Sequence, residues 1–186
     1  ESRRNESKAV AKVFQDLSER GFGFQIHYLK KPAYLDGGDV LQMNGVVFVG
    51  QSARSNPEAV RQLKVFLPGA VVPIPVTGGL HLKSVLSAVD DRTLIAADTP
   101  EARSMATQIL AALPPESESR CVWVPDAVAA NVLRLGSILL VQAGFPESET
   151  ILRSLAVDLG LEVLAVDMSE LVKADGALSC CSILIP

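Results

Sequence analysis

Short β-branched runs alternate with amphipathic helical segments along most of this chain of 186 residues. Residues 46–49 and 71–76 have the apolar, β-branched composition of strands. Between them, apolar residues recur at three- and four-residue steps from Val60 to Leu67, which is typical of one helical face. The pattern predicts two strands separated by a helix. Pro73 indicates that the second strand lies near a sheet edge, because proline cannot donate to the ladder.

Helix-start signals recur at similar intervals. Asn56 precedes a proline and a glutamate, which is the order expected of a cap, a first helical residue and a favourable charge at the helix N-terminus. Thr99 begins the same three-residue pattern and predicts a helix through Leu113. A third helix is predicted to begin at Ser148 and to end near Leu159.

The other strands complete a repeating unit. They are predicted at residues 80–88, 93–97, 121–124, 132–135, 138–141 and 161–166, with a hairpin turn across Gly136-Ser137. Each unit reads strand, strand, helix, strand, with a period of roughly 45–50 residues, which is typical of propellers, solenoids and arrays.

The two ends of the chain each resemble half a unit. A helix is predicted over residues 5–20, followed by a strand around residues 24–28, and a last short strand follows Cys181. The predicted organisation is therefore a single propeller domain, 1–186, divided into a half module 1–30, modules 35–76, 80–124 and 128–167, and a closing half module 176–186. Either the two halves join into one module, or an upstream segment is missing. The start at Glu1 favours a missing N-terminal segment with which this chain would pair.

Composition narrows the class of protein. The chain is 48% hydrophobic, and its net charge is −4 without a block of basic residues. Nucleic acid is therefore not an expected partner, and no apolar run reaches the length of a membrane span. An odd number of cysteines, two of them adjacent, does not form a disulfide framework and favours a reducing, cytoplasmic setting. The oligomeric state is left open.

Three residues supply candidate chemistry. Asp36, His81 and Cys180 are an acid, an imidazole and a thiol, the groups that an activated cysteine nucleophile requires. They are spaced by about one and two periods, so a cyclic arrangement of modules would bring them together. Each residue also has an ordinary structural interpretation, as a turn aspartate, a hydrogen-bonded histidine and a buried core cysteine. Asp39 is interpreted as a structural hydrogen-bonding residue.

Six stretches, in order along the whole chain, resemble those of a known family. They are Glu1-Ser2-Arg3-Arg4, Leu35-Asp36-Gly37-Gly38-Asp39-Val40, Val49 to Asn56, Leu80-His81-Leu82-Lys83, Val124-Pro125-Asp126 with Ala129-Ala130-Asn131, and Asp175 to Ser182. The chain thereby resembles the dimethylarginine dimethylaminohydrolases, which are guanidino-group-modifying enzymes of the amidinotransferase superfamily. The resemblance implies an α/β fold, specifically a five-bladed α/β propeller of strand-strand-helix-strand modules, here incomplete at the N-terminus.

The resemblance also implies an activity. A hydrolase of this type converts N-omega-methylated arginine to citrulline and methylamine or dimethylamine, through a covalent thiouronium intermediate on cysteine. Cys180 would be the nucleophile, His81 the proton carrier, and Asp36 the residue that orients His81. The partner implied by this activity is a small-molecule substrate, a methylated arginine, and the reaction would belong to arginine metabolism.

Substrate contacts are implied as well. Arg3 and Arg54 would clamp the substrate carboxylate, since the guanidinium fork suits that group, and the backbone carbonyl near Ala174 would accept from the guanidine. Asn131 is interpreted as a lining or packing residue.

No cofactor is expected. A thiolate and an imidazole are zinc ligands, so an inhibitory zinc at Cys180 and His81 is a side expectation. Two alternatives stay open: a related guanidine hydrolase or transferase of the arginine deiminase type, and an inactive truncated propeller that acts as a binding module.

Overall fold

The computed structural model describes residues 6–183. These residues contain nine strands and five α-helices. The strands are β1 (Val40–Met43), β2 (Val46–Gln51), β3 (Val71–Pro75), β4 (Leu86–Ala88), β5 (Thr93–Ala97), β6 (Arg120–Val124), β7 (Leu133–Leu135), β8 (Ile138–Gln142) and β9 (Glu162–Val166). The helices are α1 (Glu6–Glu19), α2 (Pro57–Phe66), α3 (Pro100–Ala112), α4 (Pro146–Asp158) and α5 (Ser169–Val172).

Three separate sheets repeat one topology. Their strand orders are β1-β2-β3, β4-β5-β6 and β7-β8-β9. In each sheet the first two strands are antiparallel, and the third is parallel to the second because a helix carries the chain back. In the first sheet, for example, Val40 pairs with Val49 and Val47 pairs with Val71. The predicted unit of two strands, a helix and a strand therefore occurs three times.

The helix-start signals act as predicted in α2 and α3. The Asn56 side chain accepts a hydrogen bond from the backbone N–H of Ala59 at 3.1 Å, and Thr99 accepts from Ala102 at 3.3 Å. These bonds satisfy backbone donors that have no partner inside the first helical turn.

Helix α4 begins two residues earlier than predicted. Pro146 occupies its first turn, with Phe145 at the cap position. Ser148 does not cap the helix, because its hydroxyl donates to the carboxylate of Asp126 at 2.8 Å and accepts from the backbone N–H of Asp126 at 3.2 Å. The Ser148 hydroxyl, which the local sequence pattern predicted to cap the helix, is therefore bonded to a residue distant in sequence.

The predicted strand over residues 80–88 is largely wrong. The structure has a 3-10 helix, Leu82–Ser84, and only then the short strand β4. The backbone N–H of Leu82 donates to the carboxylate of Asp39 at 2.9 Å, and that of His81 donates to the Ser84 hydroxyl at 3.2 Å. Side-chain acceptors thus replace the sheet ladder over this segment.

The two predicted end strands are also wrong where the structure describes them. Residues 22–30 form no strand, and Phe24 instead packs edge-on against Phe14 with ring centroids 5.2 Å apart. An alternating segment needs a neighbouring strand to receive its backbone hydrogen bonds, and residues 22–30 pair with none among those described. Leu178–Cys181 is a 3-10 helix, residues 182 and 183 are not in a strand, and residues 184–186 lie outside the described part.

The core lies between successive sheets. Strand β5 is buried along its whole length, and its residues alternate between two apolar clusters. Leu94 and Ala96 join a cluster that includes Phe48 of β2. Ile95 joins a second cluster that includes Leu139 of β8. Because successive strand side chains point to opposite faces, the middle sheet packs against both of its neighbours.

The chain divides into two compact units, the first ending at Lys30 and the second beginning at Lys31. The second unit contains all three sheets. The first contains α1, which buries none of its residues. No helix within residues 6–183 combines the length and apolar character that crossing a membrane requires.

Candidate active site

A short 3-10 helix precedes the first strand of each module, and a fourth lies near the end of the described chain. These helices are Gly37–Asp39, Leu82–Ser84, Val128–Ala130 and Leu178–Cys181, and we call them the opening turns. Asp36 and His81 directly precede the first and second opening turns, and Cys180 lies within the fourth. The first opening turn contacts both the second and the fourth. The repeat therefore brings the predicted acid, imidazole and thiol to neighbouring turns.

A cavity of about 200 Å³ is lined by residues from all four opening turns. His81 and Cys180 both line it. Its other polar lining residues are Lys83, Ser84, Asn131, Asp175 and Ser179. Cys180 is exposed, so its thiol is accessible to a molecule that enters the cavity.

The His81 imidazole lies against the Asp36 carboxylate. The Nε2 atom is 3.4 Å from Oδ2, and the His81 side chain is only 11% exposed. This separation is long for a hydrogen bond, and within the described residues Nε2 has no hydrogen-bond partner. The contact is therefore an electrostatic one between the imidazole and the carboxylate. Asp36 itself is fixed, because its carboxylate accepts from the Gly38 N–H at 3.0 Å and its N–H donates to Ser55 at 3.0 Å.

Gly38 permits the close approach of the first opening turn to the imidazole. A Cβ at this position would lie 2.7 Å from Cγ of His81 and 2.9 Å from Nδ1. No such restriction applies to Gly37, where a Cβ would meet nothing within 4 Å. The glycine pair thus has one position that matters for the imidazole and one that does not.

Asp39 joins the first two opening turns from inside. It is fully buried, and its carboxylate accepts from the hydroxyls of Ser52 at 2.6 Å and Ser55 at 2.7 Å and from the Leu82 N–H at 2.9 Å. The bond to Leu82 holds the residue that follows His81. The structural hydrogen-bonding role expected of Asp39 is what the geometry shows.

Replacing Asp39 is expected to destabilise the protein. Asp39→Ala leaves three donors without their acceptor, two of them buried, so the free energy of unfolding should fall by about 3 kcal/mol. Asp39→Asn should cost less, since an amide oxygen can still accept from Leu82 while the serine hydroxyls rotate to accept from the amide N–H groups. Urea denaturation of both variants measures the difference. Equal stability of Asp39→Ala and wild type would contradict this account of the network.

Lys83 brings a positive charge to the cavity wall. Burial lowers the pKa of its ammonium group below the usual range, while Cys180, Asp36 and Asp39 act in the opposite direction. Lys83 is thus close enough to interact with the nucleophile candidate and both carboxylates. It was not among the predicted site residues, although it lies two residues after His81 in one of the recognised motifs.

Asn131 is the second residue that the predicted catalytic set lacks. It follows the third opening turn, lines the cavity and is 3% exposed. Its side chain bonds to Lys83 and Ser179, the residues beside the histidine and cysteine positions. Its repeat position, one module after His81 and one before Cys180, predicted a lining or packing residue but not these hydrogen bonds.

Neither of the two predicted substrate-binding residues that the structure describes, Arg54 and Ala174, lines the cavity. Arg54 is exposed on the turn between β2 and α2 and does not line the cavity. Ala174 precedes Asp175 and Gly176, which do line it. Arg3 lies outside the described residues. Their contacts with a substrate stay predictions.

The three cysteines differ in accessibility. Cys180 and Cys181 are exposed, whereas burial raises the pKa of the Cys121 thiol to about 12. Cys181 shares the 3-10 helix of Cys180. Among residues 6–183 no three His, Cys, Asp or Glu side chains are grouped to hold a metal ion. The inhibitory zinc at Cys180 and His81 stays a prediction.

Two bacterial proteins are similar to this chain over almost its whole length. The N(G),N(G)-dimethylarginine dimethylaminohydrolase of Streptomyces coelicolor is 34% identical over 187 aligned residues, which cover 98% of this chain and 65% of the relative. The protein of the same name from Pseudomonas aeruginosa is 29% identical over 191 aligned residues, covering 98% of this chain and 67% of the relative. The chain thus spans about two thirds of the length of these relatives. No family model matches it.

A solved structure gives the same likeness. A cysteine-to-serine mutant of the Pseudomonas aeruginosa enzyme, in complex with citrulline, matches with a TM-score of 0.74 and 25% identity, over 97% of this chain and 66% of the other. The predicted α/β propeller class is confirmed by this match together with the three repeated sheets. In sequence and in fold, the chain is similar to the dimethylarginine dimethylaminohydrolases over almost its whole length.

Proposed function

We propose that this protein hydrolyses N-omega-methylated arginine to citrulline and methylamine or dimethylamine. The observation that carries the proposal is the shared cavity of Cys180 and His81, with Asp36 3.4 Å from the imidazole. The sequence similarity to named dimethylarginine dimethylaminohydrolases supports the choice of substrate.

The first half of the reaction is a displacement at the guanidinium carbon. The thiolate of Cys180 attacks that carbon, and the carbon–nitrogen bond to the methylated nitrogen breaks. His81 gives its proton to the departing amine. The Asp36 carboxylate, 3.4 Å from Nε2, would orient the ring for this step. The product on the enzyme is a thiouronium group joined to Sγ.

The second half consumes water. Neutral His81 now accepts a proton from water as it attacks the thiouronium carbon. The carbon–sulfur bond then breaks and the remaining hydroxyl proton passes to solvent, which releases citrulline and restores the thiolate. One water is consumed and one amine is released per turnover, with no net oxidation or reduction. No cofactor enters this scheme.

Substrate positioning is proposed for three further groups. Arg54 and Arg3 would bind the substrate carboxylate, and the carbonyl of Ala174 would accept from the guanidine. Arg54 is exposed, so its guanidinium is accessible to a ligand. We also propose a cytoplasmic location, because Cys121, Cys180 and Cys181 are all free thiols.

The test is a product assay with paired substrates. The protein, as the 186-residue chain and as the product of its complete reading frame, is incubated with asymmetric dimethylarginine, arginine or agmatine. We expect citrulline and dimethylamine in equal amounts from dimethylarginine, faster than citrulline and ammonia from arginine. Preference for arginine would indicate a deiminase instead. No citrulline from dimethylarginine or arginine and no carbamoylputrescine from agmatine, in either form of the protein, would reject the enzymatic proposal.

The glycine pair before β1 offers a matched test of imidazole placement. Gly38→Ala would push its Cβ into the His81 ring, so kcat should fall about 10- to 100-fold as the ring moves from its aligned position. Gly37→Ala, with free space around its Cβ, should keep kcat within about twofold. Steady-state kinetics of both variants measures the difference in kcat. Equal kcat values would show that the close approach of Gly38 to the His81 ring is unimportant for the reaction.

A further inference from the structure

Asn131 occupies a bridging position at the cavity. It follows the third opening turn, whereas the histidine and the cysteine belong to the second and fourth. It is 3% exposed and contributes to the cavity wall. A nearly buried carboxamide in such a place must have its hydrogen-bonding groups satisfied by the protein.

Three hydrogen bonds satisfy it. The Nδ2 group donates to the backbone carbonyl of Lys83 at 2.7 Å and to the Ser179 hydroxyl at 2.7 Å. The Oδ1 atom accepts from the backbone N–H of Ser179 at 3.0 Å. Lys83 lies two residues after His81, and Ser179 directly precedes Cys180. One side chain therefore joins the segment that carries the base to the segment that carries the nucleophile.

The chemistry of these partners requires an amide. The Lys83 carbonyl can only accept a hydrogen bond, and the Ser179 N–H can only donate one. A carboxamide meets both needs at once. An aspartate would accept from Ser179 but would place a negative oxygen against the Lys83 carbonyl.

The bridge is itself anchored. The side chain of Gln142, at the end of β8, donates to the backbone carbonyls of Val128 at 2.7 Å and Asn131 at 3.3 Å. The third opening turn is thereby tied to the central strand of its sheet. Because the Asn131 backbone is held in this way, its side chain can hold the segments of Lys83 and Ser179 in position.

We propose that Asn131 is a positioning residue that holds the Ser179–Cys180 segment against the His81–Lys83 segment, so that thiol and imidazole meet the substrate in alignment. The catalytic consequence rests on the proposed function. The positioning itself is a statement about three hydrogen bonds and can be measured without substrate.

The kinetic test compares variants of full-length protein with asymmetric dimethylarginine. Asn131→Ala should lower kcat about 10- to 100-fold with KM within about twofold, because misplacement of reacting groups affects the chemical step more than binding. Asn131→Asp should lose at least as much, since a carboxylate keeps both bonds to Ser179 but places a negative oxygen against the Lys83 carbonyl. A residue that served only stability would not divide kcat from KM in this way.

Asn56→Ala is the matched control. The Asn56 carboxamide also makes three hydrogen bonds, to the Tyr34 and Ala59 N–H groups and the Pro32 carbonyl, and none of these residues lines the cavity. Its loss should lower stability while leaving kcat within about twofold. An equal fall in kcat for Asn56→Ala and Asn131→Ala would overturn the proposal.

Amide hydrogen exchange provides the substrate-free readout. Exchange at Ser179 and Cys180 should accelerate at least about tenfold in Asn131→Ala and stay unchanged in Asn56→Ala. Unchanged exchange at Ser179 in Asn131→Ala would overturn the positioning role. If Asn131→Ala does not fold, Ser179→Ala, which removes one of the three bonds, takes its place in the same comparison. Absence of citrulline formation by wild type would reject the proposed function, while the exchange result still decides the role of Asn131.

Discussion

Cys180→Ala is expected to lower citrulline formation from asymmetric dimethylarginine by more than about 10³-fold. The physical reason is that the proposed route passes through a covalent bond to Sγ, and alanine has no atom that can form it. Because Cys180 is exposed and lies in a short turn, its removal should leave the fold intact. The measurement is initial-rate kinetics, with circular dichroism to confirm equal folding.

Cys181→Ser is the control for this experiment. Like Cys180, Cys181 is exposed and belongs to the Leu178–Cys181 3-10 helix, but it does not line the cavity. We expect its kcat to stay within about threefold of wild type. Retained activity in Cys180→Ala, together with loss of activity in Cys181→Ser, would show that Cys181 and not Cys180 is the nucleophile.

His81→Ala is expected to have the second largest effect. Loss of a positioned acid and base typically costs about 10²- to 10⁴-fold in rate. Both halves of the proposed reaction need the imidazole, first to protonate the departing amine and then to take a proton from water. A single residue should thus slow formation and breakdown of the intermediate.

The acid and base roles of His81 can be separated by changing the leaving group of the substrate. A substrate analogue whose departing group needs no proton should still react with Cys180 in His81→Ala, because the general acid is then dispensable. Hydrolysis of the resulting intermediate should stay slow, so the adduct should persist. Rapid turnover of such an analogue by His81→Ala would contradict the role of His81 as the base.

Features set by near neighbours in sequence were predictable. The caps of α2 and α3 depend on Asn56 and Thr99 and on residues within the next turn. The hairpin between β7 and β8 depends on Gly136, which has a positive φ of 58°. Local physical chemistry determines such features, and the period of the units followed from them.

Features set by distant partners were not predictable in the same way. The turn after His81 exists because Asp39, 43 positions away, accepts from Leu82. Asn131 reaches Lys83 and Ser179, each 48 positions away, and was expected only to line or pack. The period indicated which residues would come close, but the bonds that hold them depend on how neighbouring modules pack.

The central claim is that Cys180 and His81 work on one substrate in one cavity, and trapping the intermediate tests it most directly. Wild type is mixed with asymmetric dimethylarginine, and both wild type and His81→Ala are mixed with an analogue whose departing group needs no proton. The samples are quenched in acid and analysed by peptide mass spectrometry. The account predicts an adduct on Cys180, heavier by the mass of the substrate less its departing group, which is short-lived in wild type and persists in His81→Ala with the analogue. Citrulline formed without any adduct on Cys180, or with the adduct on Cys181, would contradict it.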